Sequence, residues 1–152
     1  MAIKKDSKNI TVKLFQCDHS DDTSHKYFPR FIVQDLIKYI NAQNNNVPIV
    51  LFNARDSQHS VSPYVDPIQI CGFTSSAFLD EELYLNIRIR CTDTYQGQSY
   101  TTLLESCLVD LEHTMCFTYT NDTRYVNVVD GVQLHYFVCK PKNSNISYAF
   151  TT

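Results

Sequence analysis

The chain has 152 residues and a formal charge of −3 at pH 7, because 13 Lys and Arg stand against 16 Asp and Glu. Hydrophobic residues make up 43% of the sequence, which excludes a mainly disordered chain and supports one globular domain over 1–152, with 1–8 as a candidate flexible tail. The three glycines are too widely spaced for a G-x-G-x-x-G turn or a P-loop, so the two commonest kinds of nucleotide-dependent enzyme are excluded.

The first third of the chain contains two predicted strands, a helix and a loop. Apolar residues alternate with polar ones over 9–16, and this period of two predicts a half-buried strand. Apolar residues at steps of three and four after Pro29 predict a helix that ends in the asparagine-rich stretch 41–46. The continuous apolar run 47–52 predicts a central strand, and the serines and prolines of 53–67 predict a long surface loop.

The middle of the chain contains a clear strand and an ambiguous segment. A short strand is predicted over 68–73, and the clearest alternation of the sequence predicts another over 83–91. The stretch 100–112 fits a helical stripe with Ser99 as its cap, and it also fits the return strand of a hairpin. We favour the helix.

The last third of the chain is predicted to form antiparallel strands. The predicted strands are 115–120, 125–129, 132–139 and 146–150. Between the second and third of them, Asp130-Gly131 supplies the positive φ angles of a type I′ turn, which predicts a hairpin. The predicted fold class is therefore α+β: a single domain with a mostly antiparallel sheet, a C-terminal β-meander and one or two helices.

Neither a metal site nor a cofactor is expected. The six cysteines form no C-x-x-C pair, and the loop with Cys17, Asp18 and His19 is interpreted as a solvated acidic turn. The first residues lack the apolar stretch of a signal peptide, which favours an intracellular protein, cytoplasmic or nuclear, over a secreted one. No apolar run approaches the roughly 20 residues that cross a bilayer, so no membrane partner is expected.

A cysteine-dependent enzyme would need a thiol and an imidazole within hydrogen-bond reach. The sequence offers Cys116 with His113, and Cys139 with His135. Residues four apart on a strand are separated by about 13 Å, too far for direct proton transfer, which disfavours the second pair. No catalytic residue is predicted.

The outward side of the predicted strand 83–91 carries the candidate binding residues Tyr84, Asn86, Arg88 and Arg90. Tyr and Arg are enriched in the hot spots of protein interfaces, and together they can also stack bases and contact phosphates. The leading hypothesis is a non-enzymatic protein–protein interaction module, a small subunit of a larger assembly or a homo-oligomer. The alternatives are a single-stranded nucleic-acid-binding domain and a cysteine-dependent enzyme. The composition would suit a viral or a eukaryotic protein.

Overall fold

The computed structural model describes residues 9–21, 25–42, 47–57, 60–106 and 110–151. Within these ranges the chain forms seven strands and two α-helices. In chain order they are β1 (Asn9–Gln16), α1 (Arg30–Ala42), β2 (Pro48–Leu51), β3 (Ile70–Leu79), β4 (Tyr84–Cys91), α2 (Tyr95–Ser106), β5 (Leu111–Asn121), β6 (Val129–Pro141) and β7 (Ala149–Thr151). Neither helix is long and apolar enough to span a membrane.

The strands form one mixed sheet in the order β1-β4-β3-β2-β6-β5-β7. β2 pairs with β6 in parallel and β5 pairs with β7 in parallel, while the other neighbours are antiparallel. The sheet curls into a half-barrel, so that β1 comes into contact with β5. The α+β class is confirmed, but the expected mostly antiparallel sheet is wrong, and the C-terminal meander is not confirmed because β7 runs parallel to β5.

The main core lies on one face of this sheet, here called the core face, under both helices. The buried residues of α1 are Ile32, Val33, Leu36 and Ile40, which follow the predicted steps of three and four. The chain enters α1 with the Arg30 amide donating to the Asp18 carboxylate at 3.0 Å. On β4, Leu85, Ile87 and Ile89 are fully buried against this core, as the alternation predicts.

A second apolar cluster covers the opposite face of the sheet, here called the outer face. Its buried members are Val50, Cys116, Tyr136, Val138 and Tyr148. Side chains from the loop between β2 and β3 and from the segment before β7 pack onto them. On β5 and β6 the outer face is therefore apolar around Cys116, Tyr136 and Val138, and polar side chains such as Thr118 and His135 lie beside this cluster.

The expected hairpin turn at Asp130-Gly131 is wrong, because both residues lie inside β6. No glycine has a positive φ, so a type I′ turn does not form there. Gly131 instead faces Thr120 of β5, and a Cβ at this position would lie 2.7 Å from Thr120 Oγ1. The glycine is needed for close approach of the strands, and the hairpin between β5 and β6 turns at 122–128.

The ambiguous stretch 100–112 divides between a helix and a strand. α2 begins at Tyr95, earlier than expected, because Thr94 Oγ1 accepts the Gly97 amide at 3.1 Å and caps the helix in place of Ser99. Leu111 already belongs to β5, and 107–109 lie outside the described residues. β3 also runs on to Leu79, beyond the predicted end of that strand.

Candidate active site

A β-bulge interrupts the pairing of β5 with β6 near the middle of the outer face. Cys116 faces Tyr136 and Phe117 faces Leu134, which leaves His135 as an extra residue on β6. Bulges bend the strand locally and re-aim side chains, and they are common next to active sites. The extra residue turns the His135 side chain toward β5 on the outer face.

The bulge brings an imidazole against a hydroxyl. Thr118 Oγ1 lies 2.6 Å from Nε2 of His135. Thr118 points to the outer face because its neighbours Phe117 and Tyr119 are buried in the main core. Both members of the pair are partly exposed, so the pair can be reached from solvent.

The surroundings keep the imidazole in the form that accepts a proton. Burial lowers the pKa of His135 below its usual value of 6.5, so the ring is neutral at pH 7. In the tautomer that carries its ring proton on Nδ1, Nε2 accepts the hydrogen bond from the Thr118 hydroxyl; in the other tautomer the direction is reversed. A hydroxyl paired with a neutral imidazole is the arrangement that activates a hydroxyl nucleophile.

A thiol lies close to this pair but does not compete with it as a nucleophile. Cys116 is two residues from Thr118 on the same face of β5, and it is fully buried. Burial raises the pKa of its thiol to about 12, so the thiolate that reacts is scarce. Its Sγ contacts the carbonyl oxygen of Ser62 at 3.8 Å.

Neither of the thiol–imidazole pairs considered from the sequence forms. Cys116 belongs to the cluster on the outer face, whereas His113 projects to the core face. Cys139 belongs to the main core, whereas His135 bonds Thr118 on the outer face. The sequence analysis considered His135 with Cys139 as its partner, and it overlooked Thr118 because the bulge that joins Thr118 to His135 leaves no periodic signal.

A second hydroxyl–imidazole pair lies beside a cavity of about 660 Å³ between β1 and the start of β5. Here the Tyr100 hydroxyl is 2.6 Å from Nε2 of His113. Burial lowers the pKa of His113 to about 4, and burial also raises the pKa of Tyr100. Tyr100 is fully buried, so a substrate cannot reach its hydroxyl, although His113 lines the cavity.

The acidic loop after β1 forms no ligand set. Cys17 is buried, and the Asp18 carboxylate is engaged by the amide and the guanidinium of Arg30. Within the described ranges, no group of three or more His, Cys, Asp or Glu side chains could hold a metal ion. Asp22 of this loop lies outside those ranges.

The four predicted binding residues of β4, Tyr84, Asn86, Arg88 and Arg90, share one face, away from the main core. Asn86 is buried and donates to the Asp80 carboxylate at 2.9 Å. The Arg88 guanidinium stacks on the Phe78 ring at 4.5 Å, whereas Arg90 is exposed. Their binding role stays a prediction, and they lie on a different strand from the Thr118–His135 pair.

Comparison with known proteins identifies the fold. No protein-family model matches the chain, and no curated protein matches it. Among solved structures, the chain is similar to the bacteriophage T4 capsid assembly protease gp21, with a TM-score of 0.63 and 13% identity over 88% of this chain and 81% of that chain. The chain shares its fold with a protease. The expectation of a non-enzymatic interaction module is overturned by this match, and with it the expectation that the chain is not an enzyme.

Proposed function

We propose that the chain is a peptidase in which Thr118 is the nucleophile and His135 is the general base. The observation that carries the proposal is the 2.6 Å contact between Thr118 Oγ1 and His135 Nε2 on a partly exposed face. The fold shared with a capsid assembly protease supports the reaction class, and capsid proteins are the first substrates to test. A protein that only binds a partner would have no need for the hydrogen bond between Thr118 and His135.

The reaction follows from the geometry of the pair. Thr118 Oγ1 attacks the carbonyl carbon of a peptide bond while its proton passes to His135 Nε2. The C–N bond then breaks, and the leaving amine takes the proton from the imidazole. Water, deprotonated by His135, attacks the threonyl ester, which releases the carboxylic acid and restores the Thr118 hydroxyl.

A fluorophosphonate probe, which labels activated hydroxyl groups, tests the nucleophile directly. We expect labelling at Thr118, loss of labelling in the nearly isosteric Thr118→Val variant, and faster labelling in Thr118→Ser, which removes the methyl group beside the attacking oxygen. Thr120→Val is the matched control, because Thr120 lies two residues along β5 and donates its hydroxyl to Asp130 instead of an imidazole. Labelling that survives in Thr118→Val, or that maps to Thr120, would contradict the assignment.

The pH dependence of labelling tests the base. Since burial lowers the pKa of His135, the acid limb of the labelling rate should have its midpoint below 6.5. The His135→Gln variant should lose this acid limb and most of the labelling rate. The Thr118→Ser variant should keep the midpoint of the acid limb unchanged. An acid limb above pH 6.5 would exclude a desolvated His135 as the base.

A further inference from the structure

A small pocket of about 200 Å³ opens on the outer face of the sheet, between loop residues 60–66 and β6. Tyr136, which directly follows His135, forms part of its wall, and Tyr136 faces Cys116 across the pair of strands. Cys116 and Thr118 are two residues apart on one face, which is about 7 Å along the strand. Thr118 and His135 do not line the pocket, which begins at Tyr136, the residue next to the proposed base.

The size of the pocket limits what it can hold. Sites for whole small molecules usually enclose about 300–1,000 Å³, more than this pocket offers. The loop between β2 and β3 closes one side, and the Tyr136 hydroxyl fixes this loop by donating to the Ser62 carbonyl oxygen at 2.7 Å. A pocket of this volume beside a nucleophile has room for one side chain of a peptide.

The charged side chains among the described lining residues of the pocket are all acidic. Asp56 and Asp66 both line the pocket, and its described lining residues include no Lys, Arg or His. Asp56 is partly buried, and burial raises the pKa of its carboxyl because the charged form is poorly solvated there. Asp66 is held in place by the backbone, since its Oδ1 accepts the Ile68 amide at 3.0 Å. A cation in the pocket would stabilise both carboxylates.

A buried hydroxyl group in the wall makes no well-aligned hydrogen bond. Tyr148 is only 4% exposed and lines the pocket, and its hydroxyl finds no hydrogen-bond partner of acceptable geometry among the described residues. It lies near enough to Asp56 to favour the charged form of that carboxyl. Buried polar groups are normally satisfied, so the oxygen of the Tyr148 hydroxyl is available to accept a hydrogen bond from a group in the pocket.

We propose that this pocket, the acidic pocket, binds a lysine or arginine side chain of the peptide substrate close to the cleaved bond. Asp56 and Asp66 supply the opposing charge, and the Tyr148 hydroxyl accepts a hydrogen bond from the ammonium or guanidinium group. This inference rests on the proposed peptidase activity, and it names the substrate class of the same site.

Matched peptide substrates that differ at one position test the inference. The kcat/KM of the peptide with lysine at this position should be at least about tenfold higher than that of the peptide with norleucine, its uncharged analogue. The peptide with arginine should exceed the peptide with citrulline by a similar factor. Asp56→Asn should bring the ratio of lysine to norleucine toward one, and Asp66→Asn is a second variant if the first does not fold. Asp35→Asn is the control, because Asp35 is exposed on α1 and lies outside this pocket; it should leave the ratio unchanged.

A binding experiment separates failure of the pocket from failure of the peptidase. Fluorescence anisotropy of the lysine and norleucine peptides is measured on the Thr118→Val variant, with and without Asp56→Asn. Tighter binding of the lysine peptide that Asp56→Asn removes would support the pocket even if no peptide were cleaved. Cleavage with equal rates for lysine and norleucine would overturn the pocket and leave the peptidase standing. If no peptide is cleaved and the lysine peptide does not bind more tightly than the norleucine peptide, both the pocket and the peptidase are overturned.

Discussion

The Tyr100 hydroxyl lies 2.6 Å from Nε2 of His113, the same separation as in the Thr118–His135 pair, but on the core face of the sheet. The two pairs use similar chemistry in different surroundings. Tyr100 is fully buried, whereas both Thr118 and His135 are partly exposed. The two pairs therefore differ in the access of their hydroxyl groups to solvent, which is closed at Tyr100 and open at Thr118.

The buried pair makes stability dependent on pH. The pKa of His113 is lowered from 6.5 to about 4 by burial, so on acidification the unfolded chain binds a proton before the native chain does. The free energy of unfolding should therefore fall between pH 6.5 and about pH 4, with a slope of at most about 1.4 kcal/mol per pH unit from this group. Urea unfolding across this range measures the slope. His113→Gln, which can accept the Tyr100 hydrogen bond but does not titrate, should flatten it; an unchanged slope would contradict the assignment.

Gly97→Ala should destabilise the protein although the residue lies in α2. Replacing glycine by alanine inside a helix usually stabilises by up to about 1 kcal/mol. Here the added Cβ would lie 1.9 Å from the Thr92 carbonyl oxygen, so the backbone must shift. We expect a loss of about 1–3 kcal/mol or more by chemical denaturation. Gln98→Ala, at the next and exposed position, is the control and should be neutral or stabilising; stabilisation by Gly97→Ala would show that α2 does not pack this closely against Thr92.

The ion pair between the buried Lys140 and the partly exposed Glu112 on the outer face should respond unequally to removal of either partner. Lys140 is completely buried, and its ammonium contacts the Glu112 carboxylate and the Ser144 carbonyl oxygen. Glu112→Ala leaves an uncompensated buried charge and should cost about 3–5 kcal/mol of stability. Lys140→Met keeps the volume without the charge and should cost much less. Thermal denaturation of both variants compares them, and equal losses would contradict this explanation.

The cysteines should be unreactive while the protein is folded. The five cysteines in the described ranges are free and buried, and burial raises the pKa of Cys71, of Cys116 and of Cys139. Iodoacetamide at pH 8 should label them slowly in the native state and quickly in denaturant, as followed by mass spectrometry. Cys107 lies outside the described residues and is replaced by serine in this experiment. Fast native labelling of Cys116 would instead favour a thiol nucleophile.

The predictions from sequence that succeeded rest on long apolar patterns. The steps of three and four over α1 and the alternation over β4 correspond to faces that the structure buries, so packing and local pattern agree there. The end of β3 could not be read in the same way, because Thr74, Ser75 and Ser76 are polar and their strand conformation depends on pairing with β4. Tertiary contacts override propensity in that segment.

The candidate site depended on features without a local signature. Asp130-Gly131 has the composition of a turn, but close approach to Thr120 explains the glycine, and this requires knowing which strand lies opposite. Likewise, His135 meets Thr118 through a one-residue shift in the register of two strands, and no periodicity encodes that shift. Sequence reasoning could list both residues as polar but could not pair them.

The parallel pairing of β2 with β6 also constrains the order in which the sheet assembles. β3 with β4 and β5 with β6 are hairpins of neighbouring segments, whereas Ile49 and its partner Phe137 are separated by 137 − 49 = 88 positions. Closing a loop of this length costs entropy before any strand contact compensates for it. We therefore expect the two hairpins to form early and independently, and the seam between β2 and β6 to join them last. Because the Thr118–His135 pair lies within the second hairpin, its geometry can be established before the two parts of the sheet meet.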